Sequence, residues 1–230
     1  MDLLQNFLDN FDLYGLLFLL LRVAAVLICI IVHELSHGLA ARLLGDPTAK
    51  REGRLSLNPL RHIDPVGFLM MLIAGVGWAK PVPVNMRHFK RPKRDMALTA
   101  LAGPLSNFLL ALGALGLSSL LLPAALRDGG TVYAYIILFA CYIAVLSVGL
   151  GLFNLIPIPP LDGSRLLFSL LPDRLYYVLM RYERYLMLVV IALVWFGFFA
   201  GPLDACMTWV LKGLCAVTRF PVAFLGYYIG

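Results

Sequence analysis

His33-Glu34-Leu35-Ser36-His37 is the stretch of this sequence best equipped for chemistry. On a helix, residues four apart share a face, so both imidazoles can reach one metal ion. Glu34 sits about 100° round the helix, where it can hold a water at the ion without taking a ligand position. Zinc in such a site lowers the pKa of its water towards about 7 and polarises a carbonyl, while the carboxylate acts as general base and then acid. Catalytic zinc also needs a third protein ligand and an open fourth position. The candidate is Asp162, in NLIPIPPLDG at 154–163. Taken alone, that aspartate reads as a turn residue before glycine, and H-E-x-x-H alone also occurs by chance in ordinary helices.

The surroundings change that balance. The chain has 230 residues, of which 61% are hydrophobic and 14% charged, with mean hydropathy +0.86. A soluble domain carries roughly a quarter of its residues as charges, and several runs here reach the about 20 apolar residues that cross a bilayer. The protein is therefore read as an integral membrane protein. Two imidazoles and a carboxylate at the end of a transmembrane helix cost several kcal/mol unless something satisfies them, and a metal would. The net charge of +6 does not point to nucleic acid, because 11 of the 19 Lys/Arg lie between Arg42 and Arg94, among apolar segments. That is the pattern of a cytoplasmic membrane face. Cys29, Cys141, Cys206 and Cys215 lie in or beside apolar segments without paired spacing, and read as membrane-buried thiols. The N-terminal flank carries Asp2, Asp9 and Asp12, unlike a cleaved signal peptide.

The elements that must position these residues follow from the apolar runs. Phe11 to Val32 leads as one helix through the HELSH segment to Leu44, where Gly45, Asp46 and Pro47 stop it. The basic stretch beyond puts this end in the cytoplasm. Val66 to Ala79 spans about 21 Å as a helix, short of the about 30 Å hydrocarbon core. With basic residues on both sides, it is expected to be re-entrant. Ala97–Leu122 and Thr131–Leu155 are full spans, the second ended by the prolines at 157, 159 and 160. The second returns to the cytoplasmic side, so Asp162 should lie at the depth of the two histidines. Tyr185–Leu203 is a further span, and 204–230 is either a short span or an interfacial helix. The expectation is an all-α polytopic protein of the cell membrane, with about four to six transmembrane helices. A re-entrant element sits between its first two full spans, and the site faces the cytoplasm. One domain covers 1–230, with a core at about 20–170 and further membrane segments from about 171.

Supporting residues have two readings each. Asn107 is a substrate-backbone or oxyanion contact, or an interhelical hydrogen bond on a small-residue face with Ala102, Gly103 and Ser106. Asn154 begins the stretch leading to Asp162 and could tie down its backbone. Pro81, Val82, Pro83 and Val84 must be extended. Val82 and Val84 keep their N–H groups on one edge, which could pair with an unwound substrate or simply form a rigid connector. Arg22 is expected to make a polar tie inside the bundle, Cys29 to be a buried thiol, and His62 and His88 to lie at the surface.

HELSH (33–37), GWAKPVPVN (77–85), AGPLSN (102–107) and NLIPIPPLDG (154–163) occur in this order. With them the chain resembles the site-2 protease family of intramembrane zinc metalloproteases, specifically small prokaryotic members without PDZ or CBS domains. The resemblance covers about residues 20–170. It implies one Zn2+ per chain at His33, His37 and Asp162, with Glu34 as base. It also implies an endopeptidase that cuts a membrane protein in or near its transmembrane segment, working in the lipid bilayer, with room for a regulatory membrane partner or a second copy of the chain. The alternatives are a membrane metal transporter, or a CAAX-type membrane metalloprotease, which takes a Glu ligand where this chain offers Asp.

Overall fold

A computed structural model of the chain describes residues 13–65, 67, 69, 80–128 and 130–226. Among them the regular elements are all helical: α1 Leu13–Leu43, the single turn α2 Thr48–Arg51, α3 Pro92–Asp128, α4 Thr131–Asn154, α5 Asp162–Phe168, α6 Asp173–Arg181, α7 Glu183–Trp195 and α8 Ala200–Thr218. The expected all-α class is what the molecule adopts. The re-entrant element expected at Val66–Ala79 lies outside the described residues.

Among the described residues, three helices are long and apolar enough to cross a membrane: α1, α3 and α4. At about 1.5 Å per residue, the 31 residues of α1 run well beyond a bilayer's hydrocarbon thickness. The HELSH segment therefore continues the membrane helix without a break. α3 starts at Pro92, where proline suits a first helical turn, and runs through Pro104 and Pro123. The sequence suggested an end near Pro123. One proline removes only one backbone bond, and the helix persists for another turn.

The expected span Tyr185–Leu203 is not a single helix. α7 ends at Trp195, Gly197 takes φ +69°, and α8 leaves at 82° to α7. Only glycine adopts that φ freely, and it lies in the middle of a run whose hydropathy gives no hint of a break. α7 from Tyr185 and α8 form a bent pair, so the described spans number three, or four if the pair counts as one.

α3 packs against α1, α4 and α5, and α4 also packs on α1 and α8. The core between α3, α4 and α8 is built from small and medium side chains, including Ala111, Ala114, Leu115, Ala140, Ala144, Val148 and Leu211. Small residues let membrane helices approach closely. Leu109, Leu120 and Trp209 point outward, as suits a protein whose outer surface meets lipid. Of the four free cysteines, Cys29, Cys141 and Cys215 are buried as expected, while Cys206 is exposed.

Candidate metal centre

α1, α3 and the loop before α5 converge on one point. His33 and His37 are both buried and face α3 from one side of α1. Asp162 is the first residue of α5, and the chain reaches it by a tight return after α4. Prolines 157, 159 and 160 cannot donate to a continuing helix, so α4 stops at Asn154 and the chain folds back. Gly163 is required for this return, because a Cβ there would stand 2.1 Å from the carbonyl oxygen of Leu155.

The result is a nearly equilateral triangle of ligand atoms. His33 Nε2 lies 3.0 Å from Asp162 Oδ2, His37 Nε2 lies 3.1 Å from the same oxygen, and the two Nε2 atoms are 3.0 Å apart. Ligands about 2.0–2.1 Å from a tetrahedral zinc stand about 3.3 Å from one another, so small shifts suffice to seat the ion. Burial drives the Asp162 carboxyl towards its neutral form. Hydrogen bonds with His33 and His37 outweigh this and hold it well below the usual carboxylate range, so the anion is what a cation would meet.

The far nitrogens of both imidazoles test whether a metal fits. His37 Nδ1 is 2.8 Å from the carbonyl oxygen of Thr99. A carbonyl only accepts, so Nδ1 carries the proton and Nε2 keeps a lone pair for a metal. His33 Nδ1 is 3.2 Å from Nδ2 of the fully buried Asn107, whose Oδ1 has no partner. A metal on His33 Nε2 would require a proton on Nδ1. Turning the Asn107 amide by 180° gives that proton an acceptor in Oδ1. The donor set and its supports fit zinc.

Gly103 permits the approach of α3 to this centre. A Cβ on it would lie 2.5 Å from Cε1 and Nε2 of His37 and 2.7 Å from Cε1 of His33. In the sequence Gly103 appears as part of a small-residue face and of AGPLSN, and nothing marks Thr99.

Glu34 stands apart from the triangle, with Oε2 accepting a 2.8 Å hydrogen bond from the backbone N–H of Val82. Pro81–Val84, expected to be extended, forms neither helix nor strand. The N–H of Val82, however, is turned to Glu34 and is not available to pair with a substrate strand. Arg54 braces this stretch by donating from Nη2 to the carbonyls of Lys80 at 2.6 Å and Pro81 at 3.2 Å. At its other end, buried Asp46 accepts from the N–H of Asn85 at 2.6 Å and from His88 Nδ1 at 2.8 Å. Burial raises the Asp46 carboxyl, but bonds from Thr48, Asn85 and His88 outweigh it and hold the group below its ordinary value.

Other predicted residues fall elsewhere. Asn154 Nδ2 donates to Leu150 O, one turn back in its own helix. Cys29 is buried beside Ser147, whose hydroxyl lies 3.1 Å from its sulfur, and is not in the triangle. Arg22 is exposed rather than tied into the bundle. His62, expected at the surface, is buried, with Nε2 2.7 Å from Ser56 O. The basic residues round it gave no sign that the loop folds over its ring.

Residues 21–124 and 116–197 match Peptidase family M50. The chain is 37% identical over 211 residues to "Putative zinc metalloprotease YwhC" of Bacillus subtilis, covering 88% of this chain and 90% of that one. It is 32% identical over 149 residues to "Putative zinc metalloprotease Rip2" of Mycolicibacterium smegmatis, covering 63% and 54%. It is also 29% identical over 161 residues to "Putative zinc metalloprotease MJ0611" of Methanocaldococcus jannaschii, covering 70% and 76%. No solved structure matches it. A ligand triangle suited to zinc and a family match running along most of the chain lead to the same place: this multi-pass membrane protein belongs to Peptidase family M50 and is a zinc metalloprotease.

Proposed function

We propose that the chain is an intramembrane endopeptidase that hydrolyses a peptide bond in or near the transmembrane segment of another membrane protein. The observation that carries this reading is the meeting of three ligand atoms on and beside a membrane-length helix, with a separate carboxylate, Glu34, held by the backbone N–H of Val82.

In this reading His33, His37 and Asp162 hold one zinc ion, with Thr99 O and Asn107 fixing the two imidazoles through their far nitrogens. Zinc bound there polarises the scissile carbonyl and lowers the pKa of a water molecule. Glu34 takes the proton from the attacking water and returns it to the leaving amine. The Val82 N–H holds Glu34 Oε2, which leaves Oε1 free for the proton. A helical peptide bond is internally hydrogen-bonded, so the substrate must unwind first, and helix-breaking residues near the bond should help. Along Pro81–Val84, the edge donor left for an unwound strand is the N–H of Val84. The clustering of Lys/Arg between Arg42 and Arg94 supports a site on the cytoplasmic side of the cell membrane.

The test is to combine membranes containing the chain with tagged single-span proteins. A fragment should form, vanish with a zinc chelator, return on adding zinc, and be absent with Asp162→Ala. Cleavage that persists in chelator would overturn the reading, as would zinc flux without any fragment.

A further inference from the structure

Away from the metal centre, the loop between α2 and Pro81 borders an open cavity of about 690 Å³, lined by Arg51, Glu52, Arg54, Arg61, Asp64 and Lys80 among others. Four cations face two carboxylates. Neither carboxylate lies within ion-pair distance of any of the four among the described residues. Asp64 instead caps the N–H of Gly67 at 2.8 Å. Arg54 is 7% exposed. Its Nη2 bonds go to two carbonyls, which occupy donors without neutralising charge, and its Nε has no partner. Arg61 likewise spends its hydrogen bond on the carbonyl of Gly53. A buried guanidinium with no anion beside it is costly, and here it opens on a cavity edged by three more cations.

What would fill the cavity is indicated by its rim. Leu60 lines it and is 79% exposed, and Leu57 nearby is 72% exposed. Bare leucines beside arginines suit a surface that dips into lipid. In sequence, Pro65 and Lys80 flank the apolar run at 66–79. We propose that this cavity is a binding site for the phosphate of an anionic phospholipid headgroup, with Arg51, Arg54, Arg61 and Lys80 receiving the phosphate and Leu57 and Leu60 meeting the acyl chains. Arginine suits phosphate because its planar fork can donate two parallel hydrogen bonds.

The test uses the purified full-length chain in detergent, titrated with phosphatidylglycerol or phosphatidylcholine and read by native mass spectrometry. The variant is Arg51→Ala with Lys80→Ala, because neither side chain makes a hydrogen bond among the described residues and the fold should survive. Wild type should retain one phosphatidylglycerol in preference to phosphatidylcholine. The double variant should bind it about 30-fold more weakly, the product of two membrane-proximal charges. Arg51→Lys with Lys80→Arg should restore binding, and Lys90→Ala with Arg91→Ala, outside the cavity, should leave it unchanged. Equal retention by wild type and the Arg51/Lys80 alanine variant would overturn the proposal. Displacement of the lipid by millimolar inorganic phosphate would overturn the lipid assignment in favour of a soluble phosphate compound.

Discussion

Gly103→Ala adds one methyl group where α3 meets the two imidazoles. On the present backbone its carbon would stand 2.5 Å from Cε1 and Nε2 of His37 and 2.7 Å from Cε1 of His33. Packed carbons sit about 3.5–4.0 Å apart, so rings or helix must give by about 1 Å. The rings are not free to swing, because His37 is tied to Thr99 O at 2.8 Å and His33 abuts the buried Asn107. The displacement therefore falls on a triangle whose edges are only 3.0–3.1 Å. Overpacking of this kind costs about 1–3 kcal/mol, and disturbing the groups that orient metal ligands weakens affinity about 10–100-fold. With both histidines pushed at once, zinc affinity should fall by about 100-fold. Chelator competition on the purified protein, followed by elemental analysis, measures it. Gly113→Ala on the same helix meets nothing within 4 Å and should keep wild-type affinity. If Gly103→Ala also keeps it while remaining folded, α3 does not close on the two imidazoles as described.

Two further outcomes follow from the stretch Pro81–Asn85 and its anchors. Val82→Pro removes the N–H that holds Glu34 and should leave zinc in place while lowering kcat about 10–100-fold; unchanged kcat at equal zinc content would count against that role. Asp46 has a folded pKa below its unfolded value of about 3.9, so it contributes stability above that value and loses it as pH falls through the lower, folded one. Thermal unfolding of Asp46→Asn should therefore show lower stability than wild type near neutral pH, with the gap closing in acid, and a constant gap across pH would contradict the linkage.

The parts legible in the sequence were those that residue type and spacing encode. HELSH declared its shared helix face, and the prolines before Asp162 declared the break that brings it to the histidines. What stayed hidden depended on backbone atoms and close approach. Thr99 serves through a carbonyl that every residue owns, so no side-chain type marks it. Gly103 matters for the atom it lacks, and only the packing of α3 against α1 reveals that. The sequence leaves the N–H of Val82 open to a pairing edge or a rigid connector, because the pattern of prolines fixes which groups are missing but not which way the stretch faces. Gly197 splits α7 from α8 inside an evenly apolar run, where the hydropathy signal for a span is strongest and the conformational signal is one residue.

The central claim is that Glu34 supplies the base for peptide hydrolysis at this metal centre, and Glu34→Gln tests it most directly. The amide keeps the size of the side chain, touches neither histidine, and cannot take the proton. The measurement is the cleavage rate of a single-span substrate by wild type and Glu34→Gln at matched zinc occupancy. The account predicts a zinc-loaded variant slower by about 10² to 10⁴-fold, the usual effect of losing a general base. Cleavage at near the wild-type rate would contradict it.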